Sequence, residues 1–244
     1  FKKVIIKDKN FYKKILSNTK YDLIINLEPN NEISKKYFKK NVVKNYNSSA
    51  YTTILKHESI NNNKAIQIFT KYGPIAFLPI SKTETSVVYS ILNQKNNLTE
   101  NNVIELIREF NLNYKIKSFK KLENYKLNFH TARNYYFKNI MNFGDNLHKI
   151  HPVAGQGFNM TLRDIKIFSE IIEDRLNLGL QLDYSIYEEF EKKTKHLNFL
   201  FSNGIDFIYE FFKNENIFFT RILKQLNNKE AFKKIFQKYA DQGF

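Results

Sequence analysis

The hydrophobic period of this chain changes once, and that change limits the folds open to it. Up to about residue 93 the apolar residues come in short runs rich in β-branched and aromatic side chains: 21–26, 51–55, 65–69, 75–78 and 86–91. Turn-forming residues separate them, among them Asn61-Asn62-Asn63 and Lys71-Tyr72-Gly73-Pro74, so the runs read as strands. Thr99 then caps a helix whose apolar face repeats at Val103, Leu106, Ile107 and Phe110. Two more strand-like runs follow, near 127–136 and 139–143. From about Gly157 the period is helical to the end, through Leu162, Ile165, Phe168, Ile171 and Ile172, then Ile186, Phe190, Leu197 and Leu200, then Ile205, Phe207, Ile208, Phe211 and Phe212. Strands first and helices last is an α+β arrangement.

Composition excludes several functions. The 244 residues carry 39 Lys and Arg against 24 Asp and Glu, a formal charge of +15. That balance alone suggests nucleic acid or an anionic surface. Only five of the basic residues are Arg, however, and the lysine excess travels with abundant Asn, Ile, Phe and Tyr, the residues of AT-rich codons. The lysines lie in pairs dispersed among apolar positions, not in a basic and aromatic stripe, so no nucleic-acid partner is expected. The absence of cysteine excludes disulfides, thiolate metal sites and a cysteine nucleophile. No run reaches the ~18 consecutive apolar residues of a membrane span. His148 and His151 are three residues apart, but His57, His130 and His196 are scattered, and no metal site is expected.

One stretch concentrates backbone freedom. Of seven glycines and four prolines in the chain, three glycines and one proline fall within residues 140–164. The layout is a buried strand, Gly144-Asp145 at its carboxyl end, a loop holding Gly155 and Gly157, and a long amphipathic helix. Ligands of open sheets bind at the carboxyl ends of strands, and the free N–H groups of a helix start favour electron-rich oxygen or a delocalised anion. Glycines let a flat ligand approach the backbone, and an Asp at this place accepts hydrogen bonds from sugar-type hydroxyls.

The combined string Gly144-Asp145, His148, His151-Pro152, Ala154-Gly155-Gln156-Gly157, Asn159, Arg163-Asp164 resembles the second flavin-binding motif of the FAD-dependent aromatic-ring hydroxylases, most closely the ubiquinone-biosynthesis hydroxylases. The likeness continues in register. Phe69, Gly73-Pro74, Ala76 and Leu78-Pro79-Ile80 are similar to a substrate-domain segment of that family, and Ala132-Arg133-Asn134-Tyr135 stands where it crosses back to the flavin domain. The resemblance implies an FAD-binding Rossmann-like portion, an antiparallel substrate-domain sheet and a C-terminal helical region. It divides the chain into a remnant of the FAD-binding domain at 1–48, a substrate-domain sheet with one helix at 49–133, the second flavin-binding motif and its helix at 134–180, and the helical region at 181–244.

The implied activity is hydroxylation of an aromatic ring, a polyprenylphenol intermediate of ubiquinone biosynthesis, by a flavin C4a-hydroperoxide. FAD is the implied cofactor, NAD(P)H the reductant and O2 the co-substrate, and no side chain is assigned a covalent role. Asp145 is implied in binding ribityl or ribose hydroxyls. Gly144, Pro152, Ala154, Gly155, Gln156, Gly157, Phe158 and Asn159 are implied in lining the flavin, with the N–H groups near 157–159 facing the negative charge of its reduced form. Glu28 stands where a second carboxylate contact belongs.

Three positions depart from the family pattern. No G-x-G-x-x-G follows a strand in this chain. Pro29 replaces a glycine. Asn146-Leu147 replaces a small pair and is expected to crowd the cofactor. With Phe1 at its start, the chain is expected to be the C-terminal two-thirds of a longer member, working with an N-terminal FAD-binding part and other ubiquinone-biosynthesis proteins. The alternative is a non-catalytic remnant or accessory scaffold subunit. A cytoplasmic location is expected, peripheral at the inner face of the membrane, with Phe211, Phe212, Ile217, Phe218 and Phe219 beside Lys213, Arg221 and Lys224 forming an amphipathic contact.

Overall fold

The computed structural model describes residues 21–29, 31–92, 98–111, 114–152 and 156–213. The strand-then-helix order of the sequence is realised as two sheets joined by two long helices. A seven-stranded sheet is built from β2 (Asn41–His57), β3 (Ile66–Thr70), β4 (Gly73–Pro79), β5 (Glu84–Leu92), β6 (Ile116–Phe119), β7 (Glu123–Ala132) and β10 (His148–Lys149). Its order is β10-β7-β2-β5-β4-β3, with β6 also on β2, and every pairing is antiparallel.

Alternation along these strands produces two faces. Leu55, Ile75, Phe77, Val87 and Tyr89 point to one face and pack under α2 (Glu100–Glu109) through Val103 and Ile107. Thr99 caps α2 through a reciprocal pair of bonds with Asn102, as a capping box should. On the opposite face Ala50, Leu127 and Phe129 pack against Met160 of α3 (Gln156–Asn177) and against Phe201 and Ile205 of α4 (Ser185–Lys213).

The second sheet has three short strands in the order β1-β9-β8: β1 (Ile24–Asn26), β9 (Ile140–Asn142) and β8 (Tyr136–Phe137). β1 and β9 run parallel, with Asn26 opposite Asn142, and they are the Rossmann-like element among the described residues. Met141, Phe143 and Leu147 pack on Phe168 and Ile171 of α3 and on Tyr187 and Phe190 of α4. A short α1 (Glu32–Tyr37), capped by Asn31, connects β1 to β2.

Several features differ from the sequence expectation. β2 is seventeen residues long where 51–55 was expected, and the division at 48/49 falls inside it. The strand shifts register between Asn45 and Ser48, with Asn47 at φ 50, which marks a β-bulge at 46–47. β6 was not anticipated, and 127–136 divides into β7 and β8. The buried face of α4 is also displaced. Leu200 and Phe207 are exposed, while Phe190, Thr194, Asn198, Phe201, Ser202 and Ile205 face inward. In α3, Leu162 and Ile165 are likewise exposed, and Met160, Asp164, Phe168 and Ile171 are buried. Four of these inward positions, Asp164, Thr194, Asn198 and Ser202, are polar, and the hydrogen bonds of Asp164 and Asn198 are described below. Among the described residues no helix is long and apolar enough to cross a membrane. The side chains of Phe211, Phe212 and Lys213, and all of Ile217, Phe218, Phe219, Arg221 and Lys224, lie outside the described residues.

Candidate functional site

The carboxyl ends of β1 and β9 meet through buried amides. Asn26 Nδ2 donates to Asn142 Oδ1 (3.0 Å) and to Ser34 Oγ (2.8 Å), and Asn31 Nδ2 donates to Asn26 Oδ1 (2.6 Å). The Asn26 carbonyl accepts from the Phe143 N–H and from Asn146 Nδ2, both at 3.1 Å. A carbonyl at a strand end is thus closed off by the turn that follows the neighbouring strand, which fixes the two exits relative to each other.

Asp145 and Glu28 stand exposed on these two exits. Gly144, between β9 and Asp145, has φ +60, and a methyl group there would meet only Leu27 Cδ2 at 3.9 Å and Thr161 Cγ2 at 4.0 Å. The glycine is therefore required by its backbone angle and not by crowding. The same two contacts bring Leu27, after β1, and Thr161, in the second turn of α3, against the Gly-Asp turn. The amino-terminal end of α3 faces this edge, and its first-turn N–H groups, around Gly157, Phe158 and Asn159, have no acceptor within the helix. Phe158 and Asn159 are exposed, Gln156 is buried, and Pro152 is partly buried. Ala154 and Gly155 lie outside the described residues.

Asn146 and Leu147 do not crowd this edge. Asn146 turns its amide inward to Asn26, and Leu147 is wholly buried beside Met141 and Phe143. The small pair of the family pattern is replaced by residues that face the core.

His148 and Arg163-Asp164 of the motif belong to a buried polar cluster behind the edge. His148 Nε2 donates to Asp164 Oδ2 at 2.6 Å, with neither side chain exposed. Asn198 of α4 donates to the same carboxylate (3.2 Å) and to the Tyr135 hydroxyl (3.3 Å), and the Arg163 guanidinium donates to Asn198 Oδ1. Mutual hydrogen bonds join these side chains in the interior, which lowers the cost of burying them. The cluster ties β10, α3 and α4 together under the Gly-Asp turn. Asn198 was missed in the sequence because a lone Asn in a helix carries no periodic signal. His151 is elsewhere, its ring edge-on to Tyr46 at 5.0 Å, and burial pulls its pKa down to about 3. The two histidines thus serve separate environments.

An acceptor carboxylate beside a left-handed glycine, the free N–H groups of a long helix and an exposed aromatic ring make an edge that fits a flat, polyhydroxylated anion such as FAD. Gly144, Asp145, Gly157, Phe158 and Asn159 are the described residues that could hold it, with Glu28 on the adjacent exit.

Comparison with known proteins shows the family of the chain. Residues 33–227 match the family model of squalene epoxidase. The mitochondrial ubiquinone biosynthesis monooxygenase COQ6 of Caenorhabditis elegans is 24% identical over 215 residues, covering 70% of this chain and 48% of that protein. The 3-demethoxyubiquinol 3-hydroxylase of Escherichia coli is 25% identical over 175 residues, covering 69% of this chain and 45% of that protein. The chain therefore spans about half the length of these relatives. Among solved structures, p-nitrophenol 4-monooxygenase PnpA of Pseudomonas putida superposes with a TM-score of 0.63 at 11% identity, covering 83% of this chain and 54% of that one, which is a likeness of fold. With the family model matched over most of its length, this chain belongs to the squalene epoxidase family of FAD-dependent monooxygenases.

Proposed function

We propose that the chain supplies the flavin-facing edge and the substrate wall of a monooxygenase that hydroxylates an aromatic ring, and that the ring is a polyprenylphenol intermediate of ubiquinone biosynthesis. The observation that carries the reading is the convergence of Gly144-Asp145, at the end of a strand in a parallel pair, with the amino-terminal turn of α3. The names of the relatives support the substrate class.

FAD, reduced by NAD(P)H, would supply the chemistry of activating O2 and passing one oxygen atom to the ring. The residues of this chain bind and orient. Asp145 accepts hydrogen bonds from ribityl or ribose hydroxyls, and the N–H groups near Gly157, Phe158 and Asn159 favour negative charge on the ring system. The wall for the substrate is the part of the large sheet left open beside α3 and α4. There Thr52, Val88 and Ala76 stand in register across β2, β5 and β4, half-buried, on the face opposite α2. An apolar wall of small side chains suits a hydrophobic ring with a long tail. A substrate of that kind resides in a membrane, so the working location is peripheral at the inner face.

The accessory-subunit reading rests on Pro29, which cannot adopt the positive φ open to the family's glycine. Both readings are separated by joining the chain to the part of the E. coli hydroxylase that it does not match, titrating FAD, and following NAD(P)H-dependent O2 uptake with a prenylated phenol. Bound flavin and substrate-dependent uptake are expected, with Asp145→Ala weakening FAD about tenfold or more. Flavin held equally well by Asp145→Ala would overturn the role of the Gly-Asp turn, and flavin bound without any turnover would favour the accessory subunit.

A further inference from the structure

Lysine pairs that look dispersed along the chain are gathered by the fold. Tyr37, at the end of α1, stacks on Phe137 of β8 with ring centroids 4.7 Å apart. Lys36 Nζ lies 5.1 Å from the centre of the Tyr37 ring and Lys138 Nζ 5.8 Å from that of Phe137, so one aromatic stack brings together two cations far apart in sequence. Just beyond Tyr37 the chain reaches Lys39 and Lys40, and the Lys40 carbonyl accepts from the Arg133 N–H at 2.9 Å. With Lys35 in the last turn of α1, this surface carries six cations, all exposed. Ile33, Phe38 and Ile140 pack together beneath it and anchor α1 to β9.

These charges have no counterpart close by. No Asp or Glu stands between Glu32 and Glu58 or between Glu123 and Asp145, so the two stretches that form the surface hold no carboxylate of their own. Among the described residues none of the six cations forms an ion pair. Lys44, a little further along β2, shows the contrast, because it meets Asp206 and Glu210 of α4 at 3.0 Å each. Like charges gathered without a counter-charge repel one another, a cost that an external anion relieves. Apolar side chains stand beside them. Val42 and Val43, which follow Lys40, and Phe137, which precedes Lys138, are 40%, 65% and 40% exposed.

We infer that this face, the end of α1 with the β8–β9 turn and the start of β2, docks on the surface of a bilayer that contains anionic lipid. The chemistry favours lipid over other anions. Five of the six cations are lysines, point charges suited to a diffuse layer of phosphates, whereas protein interfaces enrich arginine and deplete lysine. Nucleic acid would need open ring faces on which to stack its bases, and here the two rings face each other. Valine and phenylalanine exposed beside lysines is the composition of an interfacial contact, in which apolar side chains enter between headgroups that the cations neutralise. The 138–139 turn opens β9 and Gly144-Asp145 follows its other end, so docking leaves the Gly-Asp turn uncovered. The inference deepens the functional reading, on which it rests only for the expectation that a ring with a long apolar tail is met at a bilayer.

The test is co-sedimentation of the whole chain with vesicles of phosphatidylcholine and phosphatidylglycerol, compared with vesicles of phosphatidylcholine alone. Binding to the mixed vesicles only is expected, weakening as salt rises. The triple substitution Lys36→Gln, Lys39→Gln and Lys40→Gln should weaken it about tenfold or more. The triple substitution Lys64→Gln, Lys117→Gln and Lys121→Gln, which removes the same charge elsewhere, should leave it nearly unchanged. All these positions are exposed, so the unfolding midpoints of both variants stay close to that of the wild type. No binding to the mixed vesicles, equal binding to the neutral ones, or equal loss in the two triple variants overturns the proposal. Tighter binding of single-stranded RNA or of polyglutamate, lost in the first variant, overturns it in favour of a nucleic acid or an acidic protein. Neither flavin nor substrate enters the assay, so its failure leaves the functional reading standing, and a failed FAD titration leaves the surface standing.

Discussion

His148 and Asp164 lie 2.6 Å apart with both side chains fully buried, and they join β10 to α3 beneath the Gly-Asp turn. Removing one member leaves the other without its partner in an interior that water does not reach, which is costlier than losing a surface bond. Asp164→Ala should lower the unfolding free energy by about 3 kcal/mol or more. Asp164→Asn, which keeps an acceptor, should cost less, and urea titration of the two variants distinguishes them. Equal losses would mean that the site responds to charge alone.

Two glycines with positive φ, Gly73 and Gly144, should respond differently to substitution. A methyl group at Gly73 (φ +133) would lie 2.1 Å from the Ser90 carbonyl oxygen, which is backbone and cannot swing away. Gly73→Ala should therefore cost at least about 3 kcal/mol through overpacking and strain together. At Gly144 there is room, so Gly144→Ala should cost roughly 1–2 kcal/mol, the left-handed penalty, and Gly144→Asn less. Thermal unfolding of the three variants gives the order directly.

Burial holds His151 neutral, with a folded-state pKa of about 3 against an ordinary value of 6.5. Between these values the unfolded chain binds the proton and the folded chain does not, so stability falls as pH falls through this window. Urea titrations of the wild type and of His151→Gln at pH 7.5 and 4.5 should show a smaller acid loss in the variant. Parallel pH dependence in the two proteins would show that His151 gains its proton without unfolding.

The amide cluster at the strand ends makes a further prediction. Asn26→Leu removes bonds to Asn142, Ser34 and Asn31 together and leaves the buried Asn142 amide without that partner. Stability should drop by about 2 kcal/mol or more. Hydrogen exchange should report the loss at β1, β9 and α1, while the β3–β4–β5 meander keeps its protection.

Where hydrophobic period and turn chemistry agree, the sequence was readable. The capped helix at Thr99, the glycine at 73 that lets the β3–β4 turn sit on β5, and the strand–turn–helix around Gly144 follow from local rules. The first half of β2, 41–49, did not show itself because, apart from Val42 and Val43, it reads Asn, Lys, Tyr and Ser. Tyr46, Ser48 and Ser49 are nonetheless buried, under cover that only the tertiary fold supplies. The inward faces of α3 and α4 were misplaced for a related reason. Asp164 and Asn198 are buried with a mutual hydrogen bond, and Thr194 with its hydroxyl donating to the Phe190 carbonyl, yet a scale of single-residue hydrophobicity counts all three as solvent-facing. The residues proposed to face the flavin were visible as a motif, while the Asn26–Asn142 contact, 116 residues apart in sequence, had no local trace.

That separation bears on when the edge can exist. β1 cannot pair with β9 until the chain between them, which carries six of the seven strands of the antiparallel sheet, has been synthesised. During synthesis β1 therefore emerges long before its partner β9. The Gly-Asp turn thus joins parts of the chain made far apart in time: Leu27 reaches Gly144 only in a chain whose β1 and β9 have come together.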